Sequence, residues 1–151
     1  MGTPVDYSGI RTSLRTLLTA SASLANVRIY IEQEPEIGLP DAGLALAIFG
    51  LSRNAIASQP AAFGKQTIYN LRTAIWTFSF NMESYEAACT SRDGLLGVLE
   101  LVLMENRTIS NKVASSWLEG GEIFSARHPD TGIFVAAAET VLVSEVRAIN
   151  T

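Results

Sequence analysis

The stretch Gln66-Thr-Ile-Tyr-Asn-Leu-Arg-Thr-Ala-Ile-Trp-Thr-Phe-Ser-Phe-Asn-Met82 decides the fold. Its second half alternates Trp76, Phe78, Phe80 and Met82 with Thr77, Ser79 and Asn81. A period of two with aromatics on one face belongs to a β-strand. Tyr69 and Leu71 carry their apolar character at the opposite parity. The switch near Thr73 and Ala74 has two explanations: a bulge that shifts the pleat, or a strand covered on both faces.

Downstream, Ser84 stands where a helix N-cap belongs, with Glu86 in the first turn, where a negative charge suits the helix dipole. The helix is expected to run to about Asn106, with Ala88, Leu95, Val98, Leu99, Val102 and Leu103 on its apolar face. Gly94 and Gly97 weaken it by about 1 kcal/mol each relative to Ala, yet permit close approach of a sheet. A strand is expected around residues 113–122, broken or bent at Gly120-Gly121. The turn His128-Pro-Asp-Thr-Gly132 follows, then a last strand over residues 133–149 with Val141, Leu142, Val143 and Val146.

Upstream, residues 51–65 lack a clean period and contain Ser52, Arg53, Asn54, Ser58, Gln59, Pro60 and Gly64. They are expected to form a long loop, of the kind that is usually functional or mobile. Before them, residues 44–49 form an apolar strand ended by Gly50, and residues 32–41 a connection holding three glutamates, Pro35, Gly38 and Pro40. Residues 27–31 are a short β-branched strand. Residues 7–24 form an amphipathic helix with Ile10, Leu14, Leu17, Leu18 and Ala22 at helical spacing, capped by Ser8 or Asp6, with Asn26 as its stop. The expected fold is α+β: one domain over residues 1–151, order α-β-β-β-α-β-β, a mostly antiparallel sheet with two helices packed on it.

A chain of 151 residues supports a single core without a metal or disulfide staple. Charged residues make up 17%, against about 25% in ordinary soluble domains. A neutral surface suits burial against neighbouring subunits; it equally describes a plain domain rich in Ala, Ser and Thr. The net charge of −4 argues against a protein that wraps nucleic acid. Cys89 is the single cysteine, so no internal disulfide forms. No signal peptide is visible at the start, Asp6 stands where myristoylation wants Ser or Thr, and no apolar run is long enough for a membrane span. A soluble protein made in a reducing compartment is expected.

The residues that could carry chemistry are few. His128 precedes a proline in a polar turn with no catalytic partner in view, and Cys89 reads as a small buried hydrophobe. Glu32, Glu34 and Glu36 alternate along an extended segment; without glycine-punctuated Asp ligands they read as a solvated acidic edge, not a cation site. In Glu119-Gly-Gly-Glu122 the acids repel phosphate. Trp76, Phe78 and Phe80 read as core, since no basic residue accompanies them as on a nucleic-acid stacking platform. Arg53, Lys65 and Arg72 suit contact with an acidic partner, or simply solubility. The candidate interaction residues are therefore Arg53, Lys65, Arg72, Glu32, Glu34 and Glu36; no catalytic, metal or cofactor residues emerge, and an enzyme is not expected.

Three passages carry a resemblance: Ile10-Arg-Thr-Ser-Leu-Arg-Thr-Leu-Leu18 leading into Val27-Arg-Ile-Tyr30, the aromatic strand from Tyr69 to Met82 feeding a helix at Ser84, and Arg127-His-Pro-Asp-Thr-Gly-Ile-Phe134 between two strands. In these and in element order the chain resembles the tail terminator (tail completion) proteins of long-tailed bacteriophages. The resemblance implies a structural virion protein at the tail–neck junction, assembled in the host cytoplasm as a ring, usually a hexamer. Such a ring binds the end of the tail tube protein, stops its polymerisation, and presents a surface to the head-completion (neck) protein, and to a sheath protein if the tail is contractile. DNA would pass through the lumen without specific binding, which the mildly acidic balance allows. Residues 51–65 and 32–41 are then the natural tube or neck contacts. The competing expectations are another neck or head-closure subunit or tail-tube initiator, a non-viral small-ligand-binding module, and, weakest, an enzyme whose site is assembled between subunits.

Overall fold

The computed structural model describes residues 4–35, 43–61, 64–127 and 131–150. The first element is α1 (Tyr7–Ala20), whose N-cap is Asp6: its carboxylate accepts from the Gly9 amide at 2.9 Å. The helix expected to reach residue 24 stops sooner. Ser21 is extended, and Ala22–Leu24 is a separate 3-10 turn. Strand β1 (Arg28–Ile31) pairs parallel with β2 (Leu44–Ala61), and the other ladders are antiparallel: β2 with β3 (Gly64–Asn81), β3 with β6 (Phe134–Asn150), and β6 with both β4 (Ser115–Glu119) and β5 (Ile123–Arg127). Helix α2 (Tyr85–Glu105) follows β3; the Ser84 hydroxyl accepts from the Ala87 amide, as its position predicts. The α+β class and element order stand, with the strand expected over residues 113–122 divided at Gly120-Gly121 into β4 and β5.

Both helices share one core with the sheet. Ile10, Leu14 and Leu18 of α1, and Leu95, Leu99 and Leu103 of α2, meet Leu46, Ile48, Ile75 and Leu142. Between α2 and β4 the chain holds three successive left-handed residues, Ile109, Ser110 and Asn111, with φ of 47°, 55° and 64°. Ile109 is buried in the same core, which keeps a β-branched residue in a conformation it rarely adopts.

Where a loop is expected over residues 51–65, residues 51–61 and 64–65 are strand instead. β2 runs on through Gly50 and stays paired with β3 out to Ala61 opposite Gly64. Two register shifts, between Gly50 and Ser52 and between Ala55 and Ala57, explain why no period was legible. Each inserts a residue on β2 and inverts the alternation of side chains.

The parity switch in β3 has the other origin. Its register with β6 is unbroken from Lys65–Asn150 to Asn81–Phe134, so β3 has no bulge against that neighbour. Tyr69, Leu71 and Ile75 face the helices, whereas Phe78 and Phe80 belong to a second apolar cluster with Ala45, Ile133 and Val135. The strand is apolar on both faces.

Candidate interaction surface

The long strands set the shape. Eighteen residues each in β2 and β3 span about 60 Å at strand rise, whereas the 14 residues of α1 and the 21 of α2 span about 21 and 32 Å. The sheet therefore overhangs its helices. Among the described side chains, the last sheet residues packed against the helical core at this end are Tyr69 and Val146, opposite one another. Beyond them, residues 57–61, 64–68 and 147–150 form a three-stranded arm.

The sequence-derived candidates among the described residues do not gather in one place. Glu32, with φ of 53°, ends β1: its amide donates to the Ile48 carbonyl at 2.8 Å, and its Oε1 accepts from the Gly50 amide at 2.8 Å and from Arg11 at 3.1 Å. A Cβ on residue 50 would stand 3.3 Å from that oxygen, so the first bulge of β2 and the Glu32 latch fit together around a glycine. Glu34 is exposed, and Glu36 lies outside the described residues. Nothing among the described residues assembles a metal-binding group of His, Cys, Asp or Glu.

Arg53 lies at the root of the arm, between two tyrosines. Its Nη1 donates to the Tyr7 hydroxyl at 2.8 Å, and its guanidinium sits 5.4 Å from the Tyr7 ring centroid and 5.0 Å from that of Tyr69. The hydrogen bond to Tyr7 pushes its pKa up from the ordinary value, so the residue stays charged. Arg72 pairs with Glu119 at 2.7 Å, tying β3 to β4 across β6. Lys65 lies at the tip, opposite Pro60 on one side and Asn150 on the other. Arg53 and Arg72 thus have structural contacts of their own, and sequence patterning missed their partners Tyr7, Tyr69 and Glu119. The bulges concealed that Arg53 shares a face with Leu71 and the helices.

The face away from the helices carries a row of rings. Phe78 stacks on Phe80 with centroids 6.0 Å apart, Trp76 follows at 6.3 Å from Phe78, and Phe124 of β5 meets Trp76 edge-on at 5.7 Å. Phe80 is buried, Trp76 and Phe78 are half-buried, and Phe124 is exposed. The stripe expected as core is thus core at Phe80 and half-buried at Phe78 and Trp76. His128 lies outside the described residues, and Cys89 is a half-buried free thiol on α2. A cleft of about 190 Å³ lies between α1 and the sheet, lined by Tyr7, Ile10, Leu14, Leu71, Ile109 and Leu142 together with Arg11. Ligand sites run to about 300–1,000 Å³, so this cleft is small for one.

The edges of the sheet are unevenly covered. β1 covers β2 over Ala45–Ile48, and among the described residues no strand pairs with the outer side of β2 past Gly50. On the other side, β5 and β4 cover β6 up to Glu145, and residues 146–150 have no outer partner among the described residues. Among the described residues, no helix is long and apolar enough to cross a membrane.

No family model matches the sequence, and no curated protein matches it. Among solved structures, the chain is similar to one from the virion of a native gene transfer agent particle. The two share 11% identity with a TM-score of 0.42, over 94% of this chain and 99% of that chain.

Proposed function

We propose that this chain is a non-catalytic structural subunit of a phage-like virion: a ring-forming tail terminator that caps the tail tube, stops its growth and joins it to the head-completion complex. The observation that carries the reading is the long β2–β3–β6 sheet, which overhangs both helices and keeps two strand edges free among the described residues. Free edges on opposite sides of one body suit repeated head-to-tail contact, and such contact closes into a ring when the rotation allows it. The element order is the one that the resemblance to tail terminators implies. The arm replaces the expected loop as the natural tube or neck contact. On this reading the ring is a hexamer, its partners are the tube and neck proteins, with a sheath protein where the tail contracts, and DNA passes through the lumen without specific contacts. Of the candidates, the exposed Glu34 is open to a partner, and Lys65 holds a position at the tip of the arm.

Light scattering after size exclusion, with negative-stain microscopy, tests the ring. The expected result is a closed ring of about six copies, alone or on addition of tube protein. A monomer under both conditions contradicts it.

A further inference from the structure

The two free edges lie at the same height along the arm. Pro60, Lys65 and Asn150 share one row across the three strands, and Ala57, Ile68 and Arg147 share another three residues further on. β2 and β6 both run antiparallel to β3, so they run parallel to each other. A second copy, turned about an axis along the strands and not shifted along it, would bring its residues 147–150 beside residues 57–60 of the first. Rotation without translation is the operation that closes a ring and does not build a filament.

We propose that the arm edge is the seam between copies: residues 147–150 of one chain add as a parallel strand to residues 57–60 of the next. This rests on the ring reading above and names its contact. The lengths agree, since the run on β2 is bracketed by the bulge before Ala57 and by Pro60, which has no amide hydrogen. That bracketing limits slippage of the register.

Two measurements test the seam. Hydrogen exchange on the unaltered chain compares conditions where it is monomeric and where it is assembled. Peptides covering residues 52–61 and 146–150 should exchange at least about tenfold more slowly in the assembly, because outward amides gain partners. The second is a double variant, Ser58→Cys with Ala148→Cys, in a Cys89→Ser background. Within one copy these positions are two strands apart, about 10 Å, beyond the roughly 4.4–6.8 Å between Cα atoms that a disulfide spans. Between copies they become neighbours, so mild oxidation should give a ladder of covalent multimers, with each single variant giving at most a dimer. Rings whose arm peptides exchange unchanged and whose double variant gives no ladder overturn the seam and leave the ring standing. A chain that stays monomeric, alone and with tube protein, overturns both.

Discussion

The Glu32 latch predicts an unusual order of stabilities. Replacing Glu32 by Ala removes the carboxylate that accepts from the Gly50 amide and from Arg11, and leaves a Cβ in a left-handed backbone of φ 53°. The ion pair has 41% and 43% of its two side chains exposed, so by itself it contributes at most about 1 kcal/mol. Water can take over the amide hydrogen bond at this exposure, which leaves about 1 kcal/mol for that contact. The Ala variant should therefore lose roughly 1–2 kcal/mol, or about 2–8 °C in melting temperature for a chain of this size. Glycine also loses the carboxylate but escapes the left-handed penalty of about 1–2 kcal/mol, against an entropic cost of about 0.5–1 kcal/mol. Glu32→Gly should be more stable than Glu32→Ala by about 0.5–1 kcal/mol, the reverse of the order at an ordinary position. Urea unfolding followed by the fluorescence of Trp76 and Trp117 measures both. An Ala variant within about 0.3 kcal/mol of the parent, or a Gly variant less stable than the Ala variant, refutes the latch as a structural device.

Three other substitutions test separate parts of the fold. Leu99→Ala, fully buried between α2 and the sheet, should lose about 2–5 kcal/mol in the same unfolding assay. Gly121→Ala should lose about 1–3 kcal/mol, because the new Cβ runs into the Glu139 carbonyl group, with its carbon 2.8 Å away, and backbone cannot swing aside; a neutral result would mean that the β4–β5 corner is not held as described. Ser110→Gly should gain about 0.5–1 kcal/mol, since Ser110 is exposed and left-handed, and a loss there would show that its side chain makes a contact that matters.

Much of the fold was legible because period and caps agreed. The aromatic alternation through Phe80, the Ser84 cap and the apolar face of α2 each identify their element from local chemistry alone. What failed was the outer half of β2. Its residues mix Ala, Ser, Asn and Gln with Arg53, Ile56 and Pro60, and its two bulges invert parity, so the strand there is recognised through its pairing with β3. The same cause hid the interaction surface. Arg53 read as a loop cation, whereas the bulge at Leu51 turns it inward to Tyr7 and Tyr69. Glu32 read as one of three solvated acids, and its contacts with Arg11 and Gly50 span 21 and 18 residues, which no local pattern encodes. An arm with free edges is a property of strand order, and it becomes visible once the register of three distant segments is known.

The proposed role makes its plainest claim about length. Particles assembled in cells that lack this chain should, in electron micrographs, carry overlong and unterminated tail tubes with no head attached, and supplying the chain should restore tubes of uniform length. Tubes of normal length in its absence contradict a terminator.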